Sequence, residues 1–524
     1  ELNSMVRTFA AIDIGSSGLE MGIYELSEKS GIRLIDQVRY PIALGEDTWR
    51  SGRISYRQVD ETCEVLAEFA RIMKGYQVEN CRAYATSALR EAQNSQIVVD
   101  QIRVRTGIEV RVISNSEQRF ISYKAIAYKD AEFQKVIQKG TAILDVGNGS
   151  TQISLFDKDS LVSTQNLPLG AIRLMEIMRH MKTTAEKEQK LIQELVDNEL
   201  VTFRKIYLKD RKIENLIGVG KVTLVLYRRI MREVNQRDRI TLEEFNRFYD
   251  ALGRMTLDQI EDTFEVNAIY ASMLFPAATI IRQVLEVTGA DNIWVPGTLM
   301  LDGIAADYAE ERKLLKFNHN FANDIIVASR NMAKRYKCHM PHIQAVESAA
   351  LQVFDCMKKY HGLGERERLL LQIAADLHSC GKFVTMRNAT EYAYNIIMAT
   401  EIIGLSHVER EIVANVVRYH LKTFQYNDIK IHAKPSRSSR LATPDNLTLT
   451  VAKLTAILRL ANSMDRSHSN KLAGCRIAIK NNKLMIHTDY AGDVTLELLS
   501  IEEKADFFEE IFGIRPVLKQ KKKV

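Results

Sequence analysis

The sequence lacks the features that mark secreted, membrane-spanning and zinc-framework proteins. Its six cysteines among 524 residues are scattered, and no two of them form a Cys-x-x-Cys pair. Disulfide frameworks and zinc ribbons need clustered cysteines, so we expect reduced, mostly buried thiols in a cytoplasmic protein. No positively charged, then apolar, leader follows Met5, and we expect no apolar run of membrane-spanning length.

The composition is that of an ordinary globular protein, with 46% hydrophobic and 26% charged residues. This length predicts three or four domains with sizeable cores. The net charge of +6 comes largely from the tail lysines Lys519, Lys521, Lys522 and Lys523. We interpret the tail as a solvated, frayed end, although a basic balance also helps to hold a polyanion.

An internal repeat is the most informative feature. The segment AIDIGSSGLEMGIY at 11–24 has the same pattern as ILDVGNGSTQISLF at 143–156: an apolar strand ending in Asp, a glycine turn, and a second apolar strand. A further extended stretch follows each copy, at 32–40 and 160–166, and then helical periodicity, at 59–76 and 185–206. Short strands at 82–86, 109–113, 215–219 and 292–295 then alternate with helices. This order predicts two similar α/β domains that face each other.

The pattern changes near Lys313. From 322 to 461 it is almost purely helical, ending in a helix over 447–464. Strands are predicted at 475–480, 483–488 and 494–499, with Asn481-Asn482 as a turn. We therefore predict α/β domains over 5–130 and 131–313, a helical domain over 314–443, and a small α+β domain with a basic tail over 444–524.

The duplicated turns suggest phosphate chemistry. Glycines let backbone N–H groups approach a phosphate closely, and an Asp at a strand end can hold a hydrated cation or orient a water. One such turn is usually a plain hairpin. Two copies in register can grip a phosphate chain from opposite sides of a cleft.

Four segments of the sequence are specific enough to indicate a protein family: Ala85–Asn94 (ATSALREAQN), Val112–Arg119 (VISNSEQR), Asp145–Thr151 (DVGNGST) and Leu167–Arg173 (LPLGAIR). Together with the paired turns, they resemble the exopolyphosphatase / guanosine pentaphosphate phosphatase family. That resemblance covers essentially the whole chain. It implies two duplicated actin-like (ribonuclease H-like) α/β domains, followed by an all-α HD-like domain and a small α+β domain.

The resemblance also implies roles for individual residues. Mg²⁺ would be held by Asp13 and Asp145. The catalytic positions would be Glu117, Gln118, Asp145 and Gln152. Phosphate would be bound by Gly15, Ser16, Ser17, Arg90, Gly147, Asn148, Gly149, Ser150, Gly220 and Lys221.

The sequence departs from the family pattern where a carboxylate is expected. The family's Ser-Gly-x-Glu-Glu-Ala-Arg motif has its general base at the second Glu, which is Gln118 here, while Glu117 occupies the first. The second turn usually ends Gly-Gly-Gly-Ser-Thr-Glu; here Asn148 replaces a glycine and Gln152 the Glu. An amide keeps the shape of a carboxylate but loses its charge and basicity. The loop Gly218–Thr223 (GVGKVT) stands where the family usually has a Gly-Thr pair, and its Lys221 could contribute a point charge to a phosphate.

The helical region resembles the His-Asp metal-dependent phosphohydrolase domain. His342, His378, His420 and Asp465 come in a suitable order, and Glu391 stands where a second His is expected. However, the defining His-Asp pair reads His378-Ser379, so the metal-bridging carboxylate is missing. We expect ordinary buried or surface histidines in a helical bundle and no metal-dependent hydrolysis by this region.

Two functions remain open. One is hydrolysis of a terminal phosphate from polyphosphate or guanosine pentaphosphate, by positioning and charge neutralisation around a Mg²⁺-activated water. The other is a polyphosphate- or nucleotide-binding regulatory protein that has lost hydrolysis, which Gln118 and Gln152 favour. We expect a homodimer that binds neither a specific nucleic acid nor a membrane.

Overall fold

The computed structural model describes residues 7–29, 31–129, 133–158, 160–179, 185–233, 239–429, 431 and 444–521. The chain divides into two units, Glu1–Phe321 and Ala322–Val524. The boundary lies close to Lys313, where the sequence pattern changes. The finer division into four domains stays a prediction.

The first unit contains two sheets. Its strands are β1 (Arg7–Ile14), β2 (Leu19–Ser27), β3 (Gly31–Tyr40), β4 (Asn80–Ala85), β5 (Val110–Val112), β6 (Thr141–Val146), β7 (Thr151–Asp157), β8 (Ser160–Leu167), β9 (Asn215–Val219), β10 (Ile240–Thr241) and β11 (Asn292–Trp294). One sheet has the order β3-β2-β1-β4-β5 and the other β10-β11-β9-β6-β7-β8. In each, an antiparallel three-stranded meander leads into parallel neighbours. The repeat in the sequence is therefore a repeat of topology, as predicted.

The helices of the first unit join and cover these strands. They are α1 (Leu44–Ser51), α2 (Tyr56–Gly75), α3 (Ser87–Glu91), α4 (Ser95–Thr106), α5 (Asn115–Lys129), α6 (Phe133–Val136), α7 (Ala171–Arg179), α8 (Ala185–Phe203), α9 (Lys221–Glu233), α10 (Leu242–Leu252), α11 (Leu257–Phe264), α12 (Ala268–Thr288) and α13 (Met300–Glu311). A π-helical turn, Arg204–Leu208, follows α8.

The central strands owe their position to their composition. In β1, all residues from Phe9 to Ile14 are buried, and β6 is nearly as apolar. Strands covered on both faces read as continuous apolar runs, so these two lie inside their sheets. Each carries its Asp at the carboxyl end, where the glycine turn begins.

The helix α12 corrects one expectation from the sequence. It is long and apolar enough to cross a membrane, although no run of that length was expected. Most of the helix is buried within the core around the second sheet. The side chain of Asn267 caps its start by accepting from the N–H of Tyr270, and Gly289, with φ of 70°, ends it. Its apolarity therefore fits a core helix.

The second unit begins with a bundle of helices, as predicted. They are α14 (Phe321–Arg335), α15 (Met340–Cys356), α16 (Lys358–His361), α17 (Glu365–Leu377), α18 (Ala389–Ala399), α19 (His407–Tyr419) and α20 (Pro444–Met464), with 3₁₀ turns at Cys380–Phe383 and Tyr426–Asp428. Then follow β12 (Arg476–Lys480), β13 (Lys483–Thr488), α21 (Thr495–Phe512) and β14 (Arg515–Gln520). Asn481 and Asn482 have φ of 51° and 55°, which confirms the predicted tight turn.

The strand predicted at 494–499 is wrong, because these residues begin the helix α21. Val494, Ile501, Ala505 and Phe508 are buried, a spacing of three to seven residues that fits a helical face and not a strand. The short run of alternating residues at 494–498 imitates a strand. The longer apolar period that follows decides the structure.

The basic tail also differs in part from its predicted form. The strand β14 pairs in parallel with β13, and Lys519 lies opposite His487. The backbone of Lys519 is therefore held in a sheet and not frayed, although its side chain is exposed. Lys522 and Lys523 lie outside the described residues.

A close crossing of helices generates a stability prediction. A Cβ added to Gly303 in α13 would lie 2.3 Å from the backbone oxygen of Ile121 in α5. Because a backbone atom cannot swing aside, Gly303→Ala should lower the free energy of unfolding by about 1–3 kcal/mol. The matched control is Gly75→Ala, where a Cβ meets nothing within 4 Å. Chemical denaturation of both variants checks this, and equal midpoints would contradict it.

Candidate active site

The two glycine turns at the ends of β1 and β6 have the same backbone geometry. In the first, the N–H of Gly15 donates to the carbonyl of Gly18 at 3.0 Å. In the second, the N–H of Gly147 donates to the carbonyl of Ser150, also at 3.0 Å. The sequence repeat therefore places two equivalent turns on two equivalent strands.

Each turn is also fixed by the start of a helix. The carbonyl of Ser16 accepts from the N–H of Gly45 at 2.9 Å, and that of Asn148 accepts from the N–H of Ile172 at 3.0 Å. In a trans peptide the following N–H points the opposite way. The N–H groups of Ser17 and Gly149 are thus directed away from these helices, which is the arrangement an anion-binding loop needs.

A cross-strand pair of polar side chains lies beside each turn. Asp13 is directly opposite Glu20 in the β1–β2 pair, and Asp145 is directly opposite Gln152 in the β6–β7 pair. Asp13, Glu20 and Gln152 are all buried. The two halves are therefore related in position but not in charge, since one holds two carboxylates and the other a carboxylate and an amide.

Lys221 supplies the counter-charge for the carboxylate pair. It lies at the start of α9, in the layer of the second sheet. Its Nζ is 3.4 Å from Asp13 Oδ2 and 3.0 Å from Glu20 Oε1, both of the first sheet. Gly220, just before it, has φ of 96°, and a Cβ there would lie 2.8 Å from Asp145 Oδ1. A glycine is therefore required where this loop passes the second Asp.

Further contacts join the two sheets next to this ion pair. Arg39 Nε lies 3.1 Å from Glu20 Oε1, and the Arg39 guanidinium also donates to the hydroxyl of Tyr270 in α12. The Ser17 and Tyr270 hydroxyls are 3.4 Å apart. A cavity of ≈ 150 Å³ lies beside Ser16, Ser17 and Tyr270. The first turn therefore has open space next to it.

The buried charges perturb one another. Burial raises the pKa of Asp13, against the effect of Lys221, and Glu20 raises it further. Burial likewise raises the pKa of Asp145 to about 6, although Arg119 opposes this shift. Burial disfavours the charged form of Lys221, but Asp13 and Glu20 outweigh it and raise its pKa. The lysine is thus an ammonium at neutral pH, and the raised pKa of Asp145 lies nearer to neutrality than that of an ordinary Asp.

Arg90 and Gln118, both predicted site residues, lie next to each other. The Arg90 guanidinium donates to the carbonyl of Ile113 at 2.9 Å and to Gln118 Oε1 at 3.4 Å. Its helix, α3, is tied to the first turn because the hydroxyls of Ser16 and Ser87 are 2.6 Å apart. An amide oxygen therefore faces the arginine at the position for which the resemblance implies a general base.

Glu117 is engaged in structural contacts. Its carboxylate accepts from the N–H of Ser114 at 2.9 Å and pairs with Arg111 at 2.9 Å. The Ser114 hydroxyl in turn accepts from the N–H of Glu117, so the two residues form a capping box at the start of α5. This geometry favours a structural role, and the catalytic assignment of Glu117 stays a prediction.

Trp49 covers the second turn. A Cβ added to Gly149 would lie 2.7 Å from the Trp49 ring, so a larger residue would displace the indole. The indole Nε1 donates to Glu91 Oε2 at 3.0 Å, and that oxygen lies 3.5 Å from an Arg173 guanidinium nitrogen. This chain of contacts connects α1, α3 and α7 around the turn.

The predicted Mg²⁺ ligands were tested against this geometry. Oxygens of Asp13, Glu20 and Gln152 are buried without a hydrogen-bond partner, as oxygens awaiting a cation would be. However, the Lys221 ammonium already contacts both carboxylates, and a dication about 4 Å from it would meet a repulsion on the order of 8 kcal/mol. Across the described ranges, no group of three or more His, Cys, Asp or Glu side chains is arranged to hold a metal ion. With this ammonium in place, Asp13 and Glu20 do not fit a resident Mg²⁺ ion.

Sequence reasoning missed several residues of the site. Glu20 could have been found, because it occupies the position in the first repeat that Gln152 occupies in the second. Arg39, Trp49 and Tyr270 carry no comparable signal, since they lie outside the repeated motif and reach the site only through the fold. Arg119 lies within a recognised motif, but its effect on Asp145 depends on the packing of α5.

Three histidines of the second unit, His342, His378 and His420, form a buried cluster. His342 Nδ1 lies 2.7 Å from Asp465 Oδ2, and the Nε2 atoms of His342 and His378 are 3.3 Å apart. His378 and His420 each contact a backbone carbonyl through Nδ1, at 2.7 and 2.6 Å. Glu391 instead pairs with Arg418 and Lys422. Hydrogen-bonded core histidines fit the expectation for this region, and its lack of metal-dependent hydrolysis stays a prediction.

The fold of the first unit is shared with solved proteins. The structure of the exopolyphosphatase from Cytophaga hutchinsonii superposes with a TM-score of 0.53 at 20% identity, covering 59% of this chain and 98% of that one. The duplicated sheets thus form the actin-like two-domain fold.

The chain belongs to the Ppx/GppA phosphatase family, because the model of that family matches residues 23–309. The model of domain III of the same family matches residues 327–505. The guanosine-5'-triphosphate,3'-diphosphate pyrophosphatase of Photobacterium profundum is 22% identical over 427 residues, covering 80% of this chain and 81% of that protein. Exopolyphosphatase 1 of Mycobacterium tuberculosis is 26% identical over 164 residues, covering 31% of this chain and 46% of that protein.

The histidine cluster predicts acid sensitivity of the second unit. Burial lowers the pKa of His420 to about 4 and holds that of His378 well below its ordinary value. In the unfolded chain these histidines take up a proton near pH 6.5, whereas burial keeps them neutral to lower pH in the folded protein. Their contribution to the free energy of unfolding is therefore complete above about pH 6.5 and is lost as pH falls towards 4. For His420 alone the loss should be about 3 kcal/mol.

Urea unfolding between pH 7 and 4 measures this loss. His420→Gln should flatten the dependence on pH, whereas the exposed His487→Gln should leave it unchanged. Identical profiles for wild type and His420→Gln would contradict the assignment.

Proposed function

We propose that the cleft of the first unit binds the phosphate chain of inorganic polyphosphate or of guanosine pentaphosphate and hydrolyses its terminal phosphoanhydride slowly. The observation that carries this proposal is the pair of equivalent glycine turns, with Arg90 and Lys221 beside them. Family membership and the names of the relatives support the substrate class. We also place the protein in the cytoplasm as a homodimer, on composition and resemblance.

Binding rests on backbone and side-chain donors. The turns offer N–H groups, and the Arg90 guanidinium suits two oxygens of one phosphoryl group. Of the three ammonium N–H groups of Lys221, Asp13 and Glu20 take two, which leaves one for a phosphate oxygen. The cleft therefore matches a polyanion in both charge and geometry.

Hydrolysis needs a base for the attacking water. Gln118 and Gln152 cannot accept a proton as carboxylates do, and Glu117 is held in its capping box. Asp145 is the carboxylate beside the second turn, and its raised pKa of about 6 suits proton transfer near neutral pH. Arg90 and Lys221 then stabilise charge that develops on the transferred phosphoryl group.

A second function, binding without turnover, is favoured by one observation. The amide of Gln118 faces Arg90 at the position where the resemblance implies a general base. A protein that keeps its phosphate turns but has amides at both acidic positions can report on a polyanion without consuming it. The measurements below separate the two.

Arg90→Ala should weaken polyphosphate binding about tenfold or more, because a charge-assisted contact is lost. Arg103→Ala in α4, which breaks the exposed Arg103–Asp100 pair, is the control and should leave affinity unchanged. Calorimetric titration of both variants with polyphosphate decides the matter. Equal affinity of Arg90→Ala and wild type would contradict the placement of Arg90.

Restoring carboxylates should restore turnover. Gln118→Glu is expected to raise the rate of phosphate release sharply, since loss of a general base costs about 10²–10⁴-fold. Affinity should change little, because the restored group acts on water in the transition state. Gln152→Glu and the double variant should be compared in the same assay, and the double variant should exceed either single one. A wild type that is already fast and indifferent to Gln118→Glu would overturn this assignment.

Asp145→Asn tests the remaining base. Turnover of the wild type should rise with pH through about 6 as Asp145 ionises, and the variant should lose this dependence with most of its activity. Unchanged binding of polyphosphate by the variant would separate catalysis from recognition. A variant with wild-type turnover and pH profile would assign the base elsewhere.

A further inference from the structure

The cation that the carboxylate pair needs is already part of the chain. Asp13 and Glu20 lie directly opposite each other on neighbouring antiparallel strands, and their side chains are 7% and 3% exposed. Two like charges in this relation destabilise a sheet unless a positive charge lies between them. Lys221 Nζ contacts both, from the start of α9, a helix that packs on the other sheet.

The lysine also lies where a bound phosphate would meet it. A Cβ on Gly15 would be 4.0 Å from Lys221 Nζ and 3.9 Å from Asp13 Oδ2. The ammonium is thus next to the backbone of the first turn, and its side chain is 22% exposed, much more than the carboxylates beneath it. It can neutralise the pair and present its remaining donor to an anion at the same time.

The second half of the cleft needs no such charge. Gln152 stands opposite Asp145, so only one carboxylate is present there, and Arg119 interacts favourably with it. An amide and a single carboxylate are weak ligands for a hard dication compared with two carboxylates. Neither half therefore requires a divalent ion to be stable.

We propose that Lys221 is the resident cation of this cleft and takes the place of a divalent metal, so that the protein binds a phosphate chain without Mg²⁺. Asp13 and Glu20 act as positioning residues that hold the ammonium beside the first turn. The claim that the protein binds a phosphate chain without Mg²⁺ rests on the proposed function. The claim that Lys221 takes the place of a divalent metal does not depend on it.

To test the role of Lys221, MnCl₂ is titrated into the full chain without phosphate. Binding is measured by calorimetry and by electron paramagnetic resonance of free Mn²⁺. Wild type should bind no stoichiometric Mn²⁺. Lys221→Met should gain one site, because Asp13 and Glu20 then need another cation. The control Lys129→Met, which breaks the Lys129–Asp302 pair, should gain none. Stoichiometric Mn²⁺ binding by wild type, or no gain in a folded Lys221→Met, would overturn the proposal.

To test phosphate binding without metal, tripolyphosphate is titrated into the full chain, once in EDTA and once in Mg²⁺. Wild-type affinities in the two conditions should agree within about threefold. Lys221→Met should lose about tenfold or more in EDTA and recover part of it with Mg²⁺. Loss of wild-type binding in EDTA alone would overturn the proposal.

Two outcomes separate a failure of the proposed function from a failure of the role given to Lys221. If wild type binds no tripolyphosphate in either condition, the proposed function fails while the Mn²⁺ titration still decides the role of Lys221. If Lys221→Met does not fold, Lys221→Arg keeps the charge and should match wild type in EDTA, and Mg²⁺-dependent binding by that variant would count against the proposal.

Discussion

The burial of two carboxylates on one face of a strand pair is the constraint on which the rest of the cleft depends. Asp13 and Glu20 cannot both stay ionised inside the protein without a nearby positive charge. That charge comes from Lys221, which belongs to the layer of the other sheet. The ion pair therefore does two things at once: it stabilises the end of β1, and it fixes the distance between the two duplicated halves.

The duplicated half solves the same problem differently. Gln152 is an amide opposite Asp145, so Asp145 is a single, partly buried acid with its pKa raised to about 6. Gly220 lets the loop that carries Lys221 pass directly beside that acid. The amide at 152 adds no charge beside Asp145, and the ammonium of Lys221 pairs with Asp13 and Glu20.

Much of this was predictable from local pattern. The strand at 215–219 begins and ends where it was predicted, and the Asn481-Asn482 turn follows from residue types that tolerate positive φ. The strand expected at 494–499 failed because a five-residue alternation was given more weight than the longer apolar period of α21. Glu20 and Trp49 were missed for another reason: their partners are distant in sequence, and only the packed sheets bring them together.

The broken symmetry of the two turns has a consequence for how a linear ligand is read. A phosphate chain has nearly identical links, and a cleft with two identical halves would accept it equally well in either direction. Here an ammonium lies over a carboxylate pair beside the first turn, whereas the second turn has an amide opposite its Asp and the Trp49 indole against Gly149. For a phosphate chain bound as proposed, the two directions of entry would therefore differ in energy.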